Sequence, residues 1–365
     1  MMKDSTNAPV FLAAGGTGGH LFPAQSLAEA LARRGVPVEL VTDDRALRYG
    51  ASFPARATHT VPSATPTGGG IATRALAGLA LARGVLASLA LLRRTRPRVV
   101  VGFGGYPTVP PLLAASLLRI PTVLHEANAV MGRANRLLAG RVNTIATGFP
   151  LAKADAKTLA KTEVTGNPVR PRVVAVASQP TRASDGRLHV LVTGGSQGAR
   201  VFADIVPPAI AHLSVEERSR ISLVQQARDE DLARAKAAYD AIGFSAELAP
   251  FFSDLPDRIA AADLVIARAG ASTVSELAVI GRPAILVPYP HALDADQAAN
   301  AAELARTGAV DVVPQQEFSS EALAGRFRAA LADPAGLTAR AAAAKSAGIL
   351  DAADRLADLV LRVSR

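Results

Sequence analysis

Val10-Phe11-Leu12-Ala13-Ala14-Gly15-Gly16-Thr17-Gly18-Gly19 and Val190-Leu191-Val192-Thr193-Gly194-Gly195-Ser196-Gln197-Gly198-Ala199 carry the same pattern twice, once in each half of the chain. Each is an apolar run of strand length that breaks into a glycine-rich turn and then into a helical stretch. Outward from these two sites, β-branched runs alternate with Ala/Leu-rich segments almost throughout, the signature of a parallel α/β sheet. Strands are predicted near residues 10–14, 38–42, 99–103, 121–125 and 142–146 in the first half. In the second half they fall near 188–193, 221–225, 263–267, 284–288 and 310–313. A stretch from 148 to 186, punctuated by proline and charge, is the natural crossing between two doubly wound domains.

A length of 365 residues with 49% hydrophobic and 19% charged side chains suits two buried cores. The absence of cysteine excludes disulfides, thiol catalysis and cysteine metal sites, and agrees with a reducing compartment. The apolar run at 10–14 is too short for a signal-peptide core, so the expectation is a cytoplasmic protein. A net charge of +9 calls for anionic company. Only 4% of residues are aromatic, none is Trp, and the basic residues are scattered. That leaves little to stack on exposed bases, so no nucleic acid is expected, and the charge is assigned to diphosphate ligands and an anionic membrane surface.

Residues 75–92 form an apolar stretch of about membrane-spanning length, but Arg83 interrupts it and Gly78 and Gly84 weaken it as a helix. Arg74 and Arg83 fall on nearly opposite sides of a helix. Three readings stand side by side: a mostly buried helix whose arginines reach water; a helix on the bilayer surface with Arg74, Arg83, Arg93 and Arg94 near lipid phosphates; and a true span.

Glycine turns between strand and helix let backbone N–H groups approach a phosphate, aided by the helix dipole. Neither turn fits the dinucleotide pattern G-x-G-x-x-G: the third glycine position after Gly16 and Gly18 is Leu21, and Ser196 replaces the second after Gly194. No Gly-Lys-Ser/Thr triplet offers a nucleoside-triphosphate loop. Hydride transfer and ATP hydrolysis of the usual designs are therefore excluded. A third cluster, Gly102-Phe103-Gly104-Gly105-Tyr106-Pro107-Thr108, also follows a strand. Three such turns at the carboxyl ends of strands mark out a ligand cleft.

Gly15-Gly16-Thr17-Gly18-Gly19-His20, Gly104-Gly105-Tyr106, His125-Glu126-Ala127-Asn128 and Gly166-Asn167-Pro168-Val169-Arg170 closely resemble the MurG family of N-acetylglucosaminyltransferases. So do the second glycine turn through Arg200, Ser275-Glu276-Leu277 with Gly281 and Pro283, and Asp294 with Gln297 and Asn300. These matches run in the family's order from residue 15 to about 302. The resemblance implies a GT-B architecture, two Rossmann-like parallel-sheet domains facing across a cleft. Residues 1–168 would form the acceptor and membrane-facing domain and 169–348 the domain binding UDP-N-acetylglucosamine. Residues 349–365 would be a helix returning to the first domain. It implies inverting transfer of N-acetylglucosamine to the 4-hydroxyl of the muramyl sugar of undecaprenyl-pyrophosphoryl-MurNAc-pentapeptide (lipid I). The product would be lipid II, made at the cytoplasmic face of the membrane by a peripheral enzyme without cofactor or metal.

Carried over position by position, the donor would meet Thr17, Gly18, Gly19, Asn128, Arg170, Ser196, the backbone at Phe252, then Ala271, Ser272, Thr273, Val274, Ser275, Glu276 and Gln297. Glu276 would accept hydrogen bonds from the ribose hydroxyls, and Arg268 would orient the loop ahead of the same helix. Tyr106, Asn135, Gly195, Gln197, Gly198, Asp294 and Asn300 are secondary contacts to donor or acceptor. Two positions depart from the family: Ala127 stands where Gln is usual, and Phe252 where a smaller aliphatic residue is common.

The chemistry needs an aligned hydroxyl, a base for its proton and stabilisation of departing UDP. The amides of Gly195 to Gly198, Ser196 and Arg170 are candidates for the last task; Ser196 also suits a helix N-cap. His20 suits the base, with an ordinary pKa of about 6.5. Glu126 is the rival base, with a capping or salt-bridging role as its alternative. Asp294-Ala295-Asp296 resembles a D-x-D metal motif, but Asp229-Glu230-Asp231 matches the same loose pattern on a helix read as polar surface, so no metal site is assigned.

Overall fold

A computed structural model describes residues 8–15, 18–43, 53–64, 70–180, 185–195, 198–292 and 294–364; the side chains of Ile71, Ala72 and Arg74 lie outside the described set. The chain divides into two compact units, Met1–Arg170 with Asp351–Arg365, and Pro171–Leu350.

Among the described residues, the first unit has strands β1 (Val10–Ala13), β2 (Val38–Thr42), β3 (Ala57–Thr60), β4 (Val99–Gly102), β5 (Thr122–Glu126), β6 (Thr144–Thr147) and β7 (Thr162–Val164). Their order is β3-β2-β1-β4-β5-β6-β7, and the paired neighbours are parallel. Val10 sits opposite Val38 on one side and Val99 on the other. Helices α1 (Gly18–Arg33), α2 (Ile71–Thr95), α3 (Val109–Leu117), α4 (Arg133–Ala139) and α5 (Ala156–Leu159) connect the strands.

Both faces of this sheet are covered, which is why its central strands read as continuous apolar runs. Val10 and Leu12 pack with Leu27 and Leu31 of α1, while Phe11 points to the other face and packs with Leu112 of α3 and Leu138 of α4. Truncating one of these buried leucines to alanine costs about 2–5 kcal/mol. The C-terminal helix Ala352–Val363 joins this same core through Leu356, Ala357, Leu359 and Val360. Its spacing of apolar residues at three and four is that of one buried helical face. On its outer face Arg34 pairs with Asp358 at 2.6 Å and Arg33 with Asp354 at 3.2 Å. Such exposed pairs add little beside the apolar contact.

The second unit holds β8 (Leu188–Thr193), β9 (Ile221–Gln226), β10 (Ala246–Ala249), β11 (Leu264–Ala267), β12 (Ala284–Leu286) and β13 (Val310–Val312), in the order β10-β9-β8-β11-β12-β13, again parallel. Its helices are α6 (Pro171–Ala177), α7 (Arg200–Ala211), α8 (Val215–Ser219), α9 (Asp229–Asp240), α10 (Leu255–Ala261), α11 (Ala271–Ile280), α12 (Asp296–Ala305), α13 (Ser320–Ala332) and α14 (Pro334–Ser346). One face of the sheet carries Val190, Val192, Ile266 and Ile285 against Phe202 and Val206 of α7 and Phe327 of α13. Both units are doubly wound Rossmann-like domains.

Two expectations need correction. The helix around 75–92 is not mostly buried: Leu76, Leu79 and Leu86 are more than half exposed, and Arg83, Arg93 and Arg94 are exposed as well. At 100° per residue these six share one stripe. The opposite side carries Gly84, where a Cβ would meet the Pro62 carbonyl oxygen at 2.1 Å, so the glycine is a packing device that lets the helix seat closely. Among the described residues this is the one helix long and apolar enough to cross a membrane. The second correction concerns α9. Its Asp231 is buried, held by Arg228 at 2.6 Å and Arg234 at 2.7 Å, so that acidic cluster is an internal ion-pair site as well as a polar face.

Candidate active site

In both sheets the strand order reverses between the first strand and the adjacent fourth one, β1 and β4 in one unit, β8 and β11 in the other. Ligands bind open α/β sheets at such switch points, beyond the carboxyl ends of the strands. Gly15 after β1, the turn after β4, Gly194 and Gly195 after β8, and the loop after β11 all lie there.

In the first unit α1 starts at Gly18, and His20 stands in its first turn. The turn after β4 wraps the imidazole. Gly104 and Gly105 have φ of +94° and +73°, a region that only glycine occupies without strain. A Cβ on Gly104 would lie 3.3 Å from His20 Cδ2 and Nε2, and one on Gly105 3.4 Å from Cε1. Thr108 pins this turn to β1: its buried hydroxyl donates to the Gly104 carbonyl at 2.7 Å and lies 3.2 Å from that of Ala13. Burial lowers the His20 pKa, opposed by the charge of Glu126 and a hydrogen bond with the Gly15 backbone. The ring is thus held neutral near pH 7, with a lone pair to accept a proton.

Glu126 ends β5 and is buried. Its Oε1 accepts from the backbone N–H and side-chain amide of Asn128, both at 3.0 Å, and its Oε2 from Gly132 N–H at 2.9 Å and Asn135 Nδ2 at 2.8 Å. Four donors converge on one carboxylate, so Glu126 works as the fastener of the loop from β5 to α4. Both its oxygens are committed, a geometry poorly suited to collecting a substrate proton. Beside it His125 is fully buried, tilted against Phe103 at 5.4 Å between ring centroids. Desolvation, opposed by the Gly166 backbone and aided by the neighbouring His20, lowers its pKa to about 4. Arg170 places its guanidinium 5.1 Å over the ring of Phe22, two residues past His20. Tyr106, half-buried, opens a short 3-10 turn and packs on the apolar core below.

In the second unit the turn after β8 closes tightly on itself. A Cβ on Gly194 would sit 2.2 Å from the carbonyl carbon of Gly198, so no other residue fits without moving backbone. Two amides expected to face a diphosphate are engaged within the turn: Gly198 N–H donates to the Gly195 carbonyl at 3.1 Å, and Gly195 N–H reaches the Thr193 hydroxyl at 3.3 Å. The following helix α7 starts at Arg200 with Ala199 at its N-cap, so the cap position read for Ser196 belongs to Ala199. Thr17, Ser196 and Gln197 lie outside the described residues.

The loop after β11 is fixed from α12. Gln297 Oε1 accepts from the N–H groups of Ala269 at 3.2 Å and Tyr289 at 2.9 Å, and the fully buried Asn300 donates to the Ala269 carbonyl at 3.2 Å. Arg268 donates to the Val287 carbonyl at 3.0 Å and to Gln315 at 2.6 Å, and its guanidinium lies 5.4 Å from the Tyr289 ring centroid. Burial lowers its pKa. Behind this loop α11 carries Ala271, Val274, Ser275 and Glu276 buried and Ser272 and Thr273 half-buried. Val274 is wholly enclosed. Phe252 is buried under the Arg258 guanidinium, 4.3 Å from its ring centroid. Asp294 precedes α12, where Asp296 uses its carboxylate on the Gln297 N–H at 2.9 Å.

The sequence-predicted residues thus gather by unit. Gly18, Gly19, His20, Tyr106, Glu126, Asn128, Asn135 and Arg170 surround the switch point of the first. Gly195, Gly198, Phe252, Arg268, the segment from Ala271 to Glu276, Gln297 and Asn300 belong to the second. The sequence reading passed over Thr108, His125 as a buried neutral ring, and Gln226, which anchors the second glycine turn. Their one signal was a polar side chain at the end of an apolar strand or, for Thr108, three residues after a glycine pair.

Residues 10–147 match the glycosyltransferase family 28 N-terminal domain and residues 189–356 its C-terminal domain. Two Rossmann-like domains with these signatures define a GT-B glycosyltransferase, a hexosyltransferase. The chain is 53% identical over 364 residues to the UDP-N-acetylglucosamine--N-acetylmuramyl-(pentapeptide) pyrophosphoryl-undecaprenol N-acetylglucosamine transferase of Nitrobacter hamburgensis, covering 99% of this chain and 98% of that one. It is 56% identical over 359 residues to the same-named protein of Methylobacterium sp. (strain 4-46), covering 97% and 96%. The crystal structure of Acinetobacter baumannii MurG superposes with a TM-score of 0.79 at 28% identity, over 97% of this chain and 99% of that one. The chain belongs to the MurG family.

Proposed function

We propose that this protein moves N-acetylglucosamine from UDP-N-acetylglucosamine to the 4-hydroxyl of the muramyl sugar of lipid I, with inversion, giving lipid II. The observation that carries this is identity of 53–56% over nearly the whole length to transferases bearing that name. In this reading the first unit, with the C-terminal helix, handles the acceptor and the second handles the donor.

His20 takes the proton from the acceptor hydroxyl. Its neutral ring, enclosed by Gly104 and Gly105, supports that role. Glu126 positions: it holds Asn128 and Asn135 and supplies a negative charge that favours the imidazolium as the proton arrives. On the donor side Glu276 holds the ribose hydroxyls, the backbone at Phe252 meets the uracil, and Gln297 offers its Nε2 amide donors to the sugar while its oxygen stays with Ala269 and Tyr289. Arg170, Ser196 and the remaining turn amides stabilise the departing diphosphate without a metal. The exposed leucine and arginine stripe of α2 lies on the anionic cytoplasmic face of the membrane, the arginines toward lipid phosphates.

Purified protein incubated with radiolabelled UDP-N-acetylglucosamine and a soluble lipid I analogue is expected to yield a labelled disaccharide, with rates unchanged in chelator. No disaccharide would return the choice to a transferase with another acceptor, an epimerase or a binding module. Loss of activity in chelator that magnesium restores would remove the metal-free design.

A further inference from the structure

We propose that Gln226 is a positioning residue of the donor site, one side-chain amide that sets the diphosphate turn and the nucleobase loop together. Gln226 closes β9 and is almost fully buried. Its Oε1 accepts from Gly194 N–H and from the Thr193 hydroxyl, both at 3.0 Å. Its Nε2 donates to the Gly195 carbonyl at 3.0 Å and to the Pro250 carbonyl at 3.1 Å. Gly194 N–H can only donate and the two carbonyls can only accept, so the orientation of the amide is fixed by its partners.

All four hydrogen-bonding capacities of the side chain are spent, and three of the four go to the turn 193–195. The fourth crosses to Pro250, two residues before Phe252. Beyond Thr193, which ends β8, neither Gly194 and Gly195 nor Pro250 lies in a strand ladder. The amide therefore couples two loops that a nucleoside diphosphate would touch at opposite ends. A glutamate could still accept from Gly194 and Thr193, but would face two carbonyl oxygens with no proton to offer, leaving buried acceptors opposed to a negative charge. A methionine of similar length would keep the packing and lose every hydrogen bond.

This inference rests on the second unit being the donor half, and the experiment separates the two ideas. UDP and uridine binding would be measured by calorimetry, and KM for donor and acceptor by kinetics, on the full-length wild type, Gln226→Glu and Gln226→Met. Both variants are expected to weaken UDP and uridine alike, by about tenfold or more, with the donor KM rising in parallel and the acceptor KM unmoved. Weakened UDP with unchanged uridine overturns the coupling. A variant with lowered thermal stability but unchanged constants for the folded fraction reduces Gln226 to a structural amide, and overturns the inference as well. Should one variant fail to fold, the other supplies the same comparison. A wild type that binds neither UDP nor uridine removes the donor reading itself, and the inference with it.

Discussion

Asn135 donates its side-chain amide to Glu126 at 2.8 Å and to the His125 carbonyl at 3.2 Å, so one helix residue of α4 grips the end of β5 by both side chain and backbone. Replacing Glu126 with Gln would turn an acceptor of four hydrogen bonds into a group with two N–H donors facing other donors. Turnover is expected to fall by about two orders of magnitude, with roughly 1–3 kcal/mol lost from the stability of the first unit. Steady-state kinetics and thermal unfolding check this. A variant with wild-type kcat would end the role given to this carboxylate.

His20 leads to a pH-dependent expectation. A base must be neutral to act, and burial lowers its pKa, so kcat/KM should fall on the acid side with an apparent pKa below the ordinary 6.5. The Glu126 charge raises the His20 pKa, so in Glu126→Gln the acid limb should move to still lower pH. His20→Ala should lose the limb together with most of the rate while keeping the fold. An acid limb that does not move between wild type and Glu126→Gln would contradict this electrostatic link.

His125 makes stability depend on pH. Its folded pKa of about 4 lies below the unfolded value of 6.5. From pH 6.5 down to 4 the unfolded chain therefore takes up a proton that the folded one refuses, and stability drains away over that window. At pH 4.5 the loss from this group is roughly 2–3 kcal/mol relative to pH 7. His125→Gln should be the less stable protein at pH 7 and show a shallower acid slope. Hydrogen exchange of β4 and β5 amides reads this for the first unit alone; equal slopes would mean the ring is protonated in the fold.

For α2, the stripe of Leu76, Leu79, Arg83, Leu86, Arg93 and Arg94 predicts binding to anionic vesicles that weakens with salt. Each arginine near such a surface contributes about 1 kcal/mol. Arg83, Arg93 and Arg94 changed together to Glu should lower vesicle flotation by at least about tenfold. Equal flotation would remove the surface role of this helix.

The central strands of both sheets were legible because burial on two faces writes itself as an unbroken apolar run, as in Val99-Val100-Val101. The edge strands β3, β7 and β10 were not. Each is half-exposed and carries polar residues, such as His59 and Glu247, in place of an apolar run. The glycine turns announced themselves through composition, whereas what fixes them did not. Gln226 acts through partners more than twenty residues away, and Thr108 ties its local turn to Ala13, 95 residues away, pairings that no local pattern encodes. The roles of Glu276 and Phe252 came from resemblance alone, since a buried helix carboxylate and a buried aromatic have many ordinary reasons to exist. The exposed face of α2 was left among three readings because its hydropathy matches that of a core helix.

The C-terminal helix has a consequence for synthesis. Leu356, Leu359 and Val360 complete the core built on β1 and α1, yet they are translated last. The segment 171–350 is continuous and needs no later residue to complete its own core. The amino-terminal half, although made first, must wait for residues 352–363 before its hydrophobic interior is sealed. A polypeptide truncated after residue 350 should therefore present a protease-resistant distal half beside a proximal half that is still cleavable.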